Sequence, residues 1–398
     1  MGKMMKLFMV CLVVMGSWVR EWRVMANGEH SVNEKDNSEY FSLLCKIYNV
    51  ANHPPIKPVN TKEYQKMVDD INALSSAANG KESVNTQSEE TKSAQTQLVG
   101  ISREAHKLLE GIKKVNPEGQ AESARHAFNQ VIFGKNGKED LSPGGLEVEG
   151  SRPKACGSNE KEGKSAGKNL IVDFFCLCSQ HNRDDVGVNN VCGVSVGSGD
   201  GAGWGTNIQS TPIMWNEVKE GCEKLPRRGV TSTQDGYSLY DDFLARVKAG
   251  GNVKVKDSDI VQQHGMLGTA VSHIGNINFN CNGQKTFPTR LSSGSGSCIF
   301  YGTHHLEENI DWLKKFKTGL NIIDKLNTET ASWQHQLTTL LNRARGLYEK
   351  VKADTQLENE DTDDSPLAQH PNPDENENAD STTRSMRHSL LAWALLLQ

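Results

Sequence analysis

The chain has 398 residues and a formal net charge of −5, from 44 basic and 49 acidic side chains. This length allows one large domain or two ordinary ones, and the dispersed basic residues lack the clustering that a nucleic-acid-binding surface requires. Aromatic residues make up only 6%, and the mean hydropathy of −0.57 is low for a compact enzyme. We therefore expect disordered segments or long helices with a narrow apolar stripe.

The N-terminus has the pattern of a secretory signal peptide. A positively charged start precedes the apolar run of residues 7–15, which is too short to span a bilayer. The signal is expected within residues 1–26, with cleavage after Gly16 or after Ala26, and the sequence leaves both sites open. The alternative is a buried N-terminal helix, but the charged residues at 20–23 would interrupt its apolar face.

Two amphipathic helices are predicted next. The apolar residues of segment 39–48 recur at helical spacing, and this helix should end near Pro54 and Pro55. A second apolar stripe lies between residues 64 and 74 and fades into a polar stretch at 75–90. That stretch has the composition of a loop.

Two longer segments have the alternating three- and four-residue spacing of a coiled-coil seam. The first seam consists of Leu98, Ile101, Ala105, Leu108, Ile112 and Val115. Pro117 interrupts this seam, and a similar stripe continues to Gly134. The second seam lies between residues 306 and 352, where an uninterrupted helix would span roughly 70 Å. The two seams predict an elongated antiparallel helical hairpin, a rod made of residues 39–134 and 306–352.

The segment between the two halves of the rod, residues 135–305, has a different composition. It is rich in glycine and contains all but one of the cysteines that would remain after signal cleavage. Short apolar runs at 170–175, 191–194 and 298–301 are consistent with strands, and 238–249 with a helix. The predicted fold is therefore mainly α, a coiled-coil rod that carries a loop-rich, disulfide-linked α+β head as an insertion.

The cysteine count supports this head. Cys11 would be lost with the signal peptide, and an even number of cysteines in an oxidising compartment predicts disulfides. The expected disulfide residues are Cys45, Cys156, Cys176, Cys178, Cys192, Cys222, Cys281 and Cys298. Their pairing cannot be assigned from the sequence. A metal site at Cys176, Cys178 and His181 is the alternative, but this spacing is not that of a recognised zinc site.

The C-terminus carries the pattern of a glycolipid-anchor signal. Residues 353–381 are acidic and contain prolines, which predicts a disordered stalk. Small residues and a polar stretch then precede a hydrophobic tail too short to span a bilayer, so we expect residues 382–398 to be removed on anchor attachment. Ser381 is the favoured attachment residue, with Asn378 and Asp380 as alternatives. A terminal helix that docks on the protein is the competing interpretation.

Motifs that would indicate catalysis are absent from the sequence. The glycine-rich run at 197–205 has neither a complete dinucleotide-binding pattern nor the lysine and hydroxyl of a phosphate loop. His304 and His305 are adjacent, so on a helix their side chains would point in different directions. No nucleophile-elbow motif occurs. We expect no catalytic residue, no metal and no cofactor, and the chain also lacks an N-glycosylation sequon.

This order of features resembles the variant surface glycoproteins of African trypanosomes. The resemblance rests on the signal peptide, the helix around Cys45 that runs into Pro54 and Pro55, the helical hairpin enclosing a cysteine-bearing head, the acidic tail and the anchor signal. It is closest to the Trypanosoma congolense type and to the B-type N-terminal domain, which would occupy residues 27–352. No cysteine-rich C-terminal domain follows Lys352, unlike in the better-known brucei-type members.

The resemblance implies a function and a location. It implies a homodimeric coat protein on the extracellular face of the plasma membrane, held there by a glycosylphosphatidylinositol (GPI) anchor. Such a protein shields the parasite from host antibody and complement and is exchanged for other versions. No nucleic-acid partner is expected. The alternative is a GPI-anchored receptor on the same scaffold, similar to the trypanosome receptors for transferrin or haptoglobin–haemoglobin, which would be present at low copy number.

Overall fold

The computed structural model describes residues 31–80, 88–183, 185–199, 202–225, 232–256, 260–273, 277–286 and 294–360. The predicted signal peptide, most of the predicted stalk, the anchor signal and its candidate attachment residues lie outside the described residues. None of the helices in this described part combines the length and hydropathy that a membrane span requires.

Helices dominate the described residues. In chain order they are α1 (Ser38–Asn52), α2 (Thr61–Asn79), α3 (Glu89–Val115), α4 (Pro117–Phe133), α5 (Arg152–Cys156), α6 (Leu170–Cys178), α7 (Thr211–Glu223), α8 (Thr233–Ala249), α9 (Leu306–Asn309) and α10 (Asp311–Glu360). The strands are β1 (Gly157–Ser158), β2 (Lys161–Glu162), β3 (Gly203–Trp204), β4 (Ile208–Gln209), β5 (Gly251–Val255), β6 (Ile260–Gln263), β7 (Met266–Ser272) and β8 (Ser295–Phe300).

The long helix α10 organises the molecule. Its 50 residues span about 75 Å at the usual helical rise. Near its end, the carboxylate of Asp354 accepts hydrogen bonds from the hydroxyls of Ser88 and Thr91 at the start of α3. The end of α10 therefore lies beside the start of α3, so the two helices are antiparallel. This arrangement confirms the predicted mainly α fold with an antiparallel helical rod.

The lower part of the rod is a bundle of three helices, where the sequence predicted a hairpin of two. Helices α2, α3 and α10 share one apolar core, here called the lower core. Its buried residues are Tyr64, Val68, Ile71, Ala78, Ala94, Leu98, Ile101, Ala105, Leu109, Ile112, Trp333, Leu337, Leu340, Leu341, Ala344 and Val351. In the α3 seam Leu109 is buried and Leu108 only partly so, because two helices flank α3 and its apolar face is wider than a two-helix seam.

The break between α3 and α4 follows from two residues. Asn116 adopts a left-handed conformation with φ of 50° and closes α3, and its side chain accepts a hydrogen bond from the Gly119 N–H at 3.3 Å to cap α4. Pro117 begins α4, where its missing N–H costs nothing. The predicted interruption at Pro117 is therefore a boundary between two capped helices.

A second apolar core, here called the upper core, is shared by α1, by α4 to α9, by the four-stranded sheet and by α10 as far as Ile323. A mixed sheet with strand order β6-β5-β7-β8 lies in it, with β5 parallel to β7 and the other neighbours antiparallel. Every residue of β7 and β8 is buried. Helix α1 also packs here rather than in the rod, since Phe41 contacts Phe174 and Tyr48 contacts Trp215 edge-on, at 5.5 and 5.3 Å between ring centroids.

The structure corrects three predictions of local structure. Residues 170–175, predicted as a strand, begin the helix α6, and residues 191–194 form turns rather than a strand. All nine residues of α6 are buried, so the run has no apolar periodicity that could separate helix from strand. Helix α10 continues through residues 353–360 of the predicted stalk, because Val351 is buried and Asp354 is held by the start of α3.

Candidate functional site: the disulfide-bonded head

The eight cysteines predicted to remain after signal cleavage form four disulfides in the head. The pairs are Cys45–Cys222, Cys156–Cys176, Cys178–Cys192 and Cys281–Cys298. The first pair joins α1 to α7 across 177 positions of the sequence. A disulfide stabilises a fold by roughly 2–4 kcal/mol, mainly by restricting the unfolded chain. The pairing that the sequence left open thus links the head segments to one another and to α1.

The same pairing removes the sulfur ligands of the alternative metal site. Cys176 and Cys178 are each bonded to another cysteine, so neither offers a thiolate to a metal. His181 is close by, and burial and then the positive charge of Arg152 lower its pKa. Within the described ranges, no group of three or more histidine, cysteine, aspartate or glutamate side chains has the arrangement of a metal site.

The other motifs considered in the sequence have ordinary structural partners. The Gly197 N–H donates to a carboxylate oxygen of Glu217 at 2.5 Å, so an acidic group lies where a phosphate loop would hold a phosphate. His305 pairs with Glu308 at 2.8 Å, and both side chains are largely exposed. These two contacts are local and do not bring acid, base and nucleophile together in a cleft.

Asp173 is a buried carboxylate that the sequence analysis missed. Its Oδ1 accepts from the Gly167 N–H at 2.8 Å, and its Oδ2 accepts from the Tyr301 hydroxyl at 2.7 Å and from the Trp312 indole N–H at 2.6 Å. Burial raises the pKa of Asp173 to about 6, although the three donors oppose this shift. These contacts join α6, the residue that follows β8 and the first turn of α10.

Arg152 is a buried cation, also missed in the sequence, at the other end of α6. Its Nη1 donates to the carbonyls of Ser179 and Trp204 at 2.9 and 3.0 Å, and its Nη2 donates to that of Cys176 at 3.0 Å. Burial lowers its pKa to about 9. Because the last carbonyls of a helix lack internal partners and carry partial negative charge, the guanidinium stabilises the end of α6.

Asp173 and Arg152 therefore flank one buried apolar helix, the anion in its first turn and the cation at its last carbonyls. This is the arrangement that the helix dipole favours. Both groups are completely buried, so a substrate in solution has no direct contact with either. Their perturbed pKa values reflect burial in the head core, where their hydrogen bonds hold α6 against its neighbours.

The residues that reach solvent are mostly polar. Among the described residues the large apolar side chains that are clearly exposed are Val99, Ile213, Ile260 and Ile277. They lie on α3, α7, β6 and the segment after β7. Scattered single apolar residues of this kind are normal on a soluble surface. The described part of the head thus has a mainly polar outer surface over a disulfide-linked core.

The comparisons with known proteins agree with this architecture. A family model described as a trypanosomal VSG domain matches residues 75–342, about two thirds of the chain. No curated protein matches the chain. The match begins in the last part of α2 and continues through α3, α4 and the head to residue 342 of α10. On this match and on its helical rod with a disulfide-bonded head, the chain belongs to the variant surface glycoproteins of trypanosomes, a family of structural coat proteins of the cell surface.

Proposed function

We propose that this protein is a GPI-anchored coat protein that shields the parasite from host antibody and complement and takes part in antigenic variation. The observation that carries the proposal is that the head and the predicted anchor lie toward opposite ends of the rod. The disulfide-linked head lies at the start of α10, and Glu360 is the last residue of that helix, at the opposite end. The predicted stalk and anchor signal follow Glu360 in the sequence, so anchoring there would turn the head outward.

The distribution of stabilising contacts supports the exchange of surface residues. The head is held by four disulfides and by the fully buried Asp173 and Arg152 contacts. Exposed loop residues contribute little to such a core, and substitutions there usually change stability by less than about 0.5 kcal/mol. Surface sequence can therefore vary while the fold is kept, which is the physical requirement for antigenic variation.

A homodimer is part of the proposal. The rod offers a long lateral surface, and a second copy placed alongside it would keep both predicted anchors at the same end. Analytical ultracentrifugation of the mature protein tests this, and a monomer at micromolar concentration would contradict the dimer. Ser381 remains the favoured attachment residue, with Asn378 and Asp380 as alternatives.

Treatment of living cells with a phosphatidylinositol-specific phospholipase tests the anchor. We expect release of a chain that ends at or near Ser381 and carries a glycolipid remnant, detected by mass spectrometry of its C-terminal peptide. A chain that stays on the cells and retains the apolar residues 390–398 would contradict anchoring. Quantification of surface proteins then tests the coat function, since a coat protein dominates the surface. Low abundance together with tight binding of one host serum protein would indicate a receptor instead.

A further inference from the structure

The upper and lower cores of this molecule share no residue. On α10 the upper core ends at Ile323 and the lower core begins at Trp333. The chain crosses between the cores at three described places, namely residues 53–60, Asn116, and α10 at residues 324–332. We call these three crossings together the waist.

Two of the three crossings are interruptions of helical structure. Residues 53–60 join α1 to α2 and contain Pro54, Pro55 and Pro58. Asn116 is left-handed, and Pro117 after it has no N–H to donate. Only α10 passes through the waist as a continuous helix. The main chain therefore joins the two cores by one continuous helix and two interrupted connections.

The α10 segment at the waist has one fully buried apolar residue, Leu326, which belongs to neither core, and two buried polar atoms without partners. Thr330 is buried, and its hydroxyl has no hydrogen-bond partner among the described residues; the same holds for Glu329 Oε2. A pocket of about 300 Å³ opens between the start of α2 and the α3–α4 junction, with Thr61 and Lys113 in its wall. A buried polar group without a partner lowers the stability of the segment that carries it, and the pocket lets solvent reach the polar side chains on this side of the waist.

Among the described residues, the side-chain hydrogen bonds at the waist lie at exposed or partly buried positions. Asn327 on α10 accepts from the Lys57 N–H and donates to the Pro55 carbonyl, each at 3.0 Å. The Thr61 hydroxyl donates to Glu118 at 2.7 Å, joining α2 to α4. Hydrogen bonds at such positions contribute a modest net free energy, because they replace bonds to water.

Covalent links and helix propensity also differ on the two sides of the waist. All four disulfides hold upper-core residues, and the sequence has no cysteine from residue 46 to 155 or after residue 298. The lower bundle carries Gly100, Gly111 and Gly346 inside its helices, each with no neighbouring atom where a Cβ would lie. Exposed helical glycines of this kind lower helix stability without a packing benefit.

We propose that the waist divides the protein into two cooperative units and that the lower bundle opens and recloses while the disulfide-bonded head stays folded. Local opening of a less stable unit is a general property of native proteins. The consequence for the coat rests on the function proposed above. In a crowded coat, the lower bundle would open locally while the outward surface of the head keeps its folded structure.

Hydrogen exchange of the purified mature protein, followed by mass spectrometry, tests the two units. We expect peptides from α2, α3 and the part of α10 after Trp333 to exchange together. Those from α6, β7 and β8 should exchange at least ~10-fold more slowly, which corresponds to a difference of about 1.4 kcal/mol in opening free energy. Equal exchange in both sets, with one shared denaturant midpoint, would overturn the proposal.

Matched core variants sharpen the test. Leu340→Ala removes a buried side chain from the lower core and Leu313→Ala removes one from the upper core. Leu340→Ala should accelerate exchange only below the waist. Leu313→Ala should lower the denaturant midpoint of the head peptides by more than that of the lower bundle. Equal acceleration on both sides by Leu340→Ala would show one cooperative unit.

A stabilising variant guards against the failure of Leu340→Ala to fold. Gly111→Ala should slow exchange in α2, α3 and lower α10 and leave the head peptides unchanged, and a change of equal size in the head would contradict the proposal. These measurements use soluble protein. A result that contradicts the two cooperative units therefore does not affect the proposed anchor and coat function. Likewise, a protein that phospholipase does not release can still have two cooperative units.

Discussion

The carboxylate of Asp173 and the indole of Trp312 form a buried hydrogen bond, 2.6 Å between Oδ2 and Nε1. The contact joins the first turn of α6 to the first turn of α10. Tyr301 donates to the same oxygen at 2.7 Å. One buried carboxylate thus connects the head to the helix that continues through the whole rod, and its protonation should influence folding stability.

Stability should therefore depend on pH through Asp173. Burial raises its pKa from 3.8 to about 6 in the folded protein, so the folded state binds this proton more tightly than the unfolded state. The corresponding stability is fully present below the unfolded pKa and is lost as pH rises through about 6. The loss is of order 1 kcal/mol per pH unit inside that window.

Denaturant unfolding of Asp173→Asn between pH 4 and pH 7 measures this contribution. The variant cannot ionise there, so the part of the pH dependence that belongs to Asp173 should disappear. Glu160→Gln, at an exposed position of the β1–β2 turn, is the control and should keep the profile of the natural chain. An unchanged profile in Asp173→Asn would mean that the carboxylate does not titrate in this range.

Leu337→Asp should be severely destabilising. Leu337 is completely buried in the lower core, and an unpaired charge there costs several kcal/mol. Thermal unfolding followed by circular dichroism gives the effect. Gln334→Asp, at an exposed position on the same helix, should change the midpoint little. If the two variants unfold alike, the α10 seam is not buried.

The sequence was sufficient to predict the apolar seams of the rod helices but not the structure of the head, and the reasons are physical. A helix with one exposed face has apolar residues at a regular spacing, and Leu98 and Ile101 of α3 and Leu337 of α10 follow such a spacing. Helix α6 is buried on all sides, so its run of apolar residues has no period to read. Disulfide pairing depends on which segments meet in space. Arg152 and Asp173 look like ordinary surface charges in the sequence because their partners are backbone groups and side chains far along the chain.

Two glycines of α10 should respond oppositely to alanine. Gly346 has open space where a Cβ would lie, and alanine is the better helix former by about 1 kcal/mol. A Cβ at Gly319 would lie 2.7 Å from Phe128 Cε2, so the packing of α4 on α10 would have to shift. We expect Gly346→Ala to raise the thermal midpoint and Gly319→Ala to lower it. Two increases would show that the α4–α10 contact is looser than described.

The two disulfides of most different span provide the last prediction. Cys45–Cys222 and Cys178–Cys192 are similarly buried, but they close 177 and 14 positions of the sequence. The entropy that a disulfide removes from the unfolded chain grows with the logarithm of the loop length, so the longer link should stabilise more, by about 2 kcal/mol.

Two double variants make the comparison, with both cysteines of a pair replaced by alanine. The cavity and desolvation effects are similar in the two variants, since all four sulfurs are buried, and the difference reports mainly the loop. Denaturant unfolding should place the Cys45→Ala/Cys222→Ala protein well below the Cys178→Ala/Cys192→Ala protein in stability. The reverse order would mean that native contacts around Cys178, including that of Cys192 Sγ with the Leu177 carbonyl at 3.6 Å, outweigh the constraint on the unfolded chain.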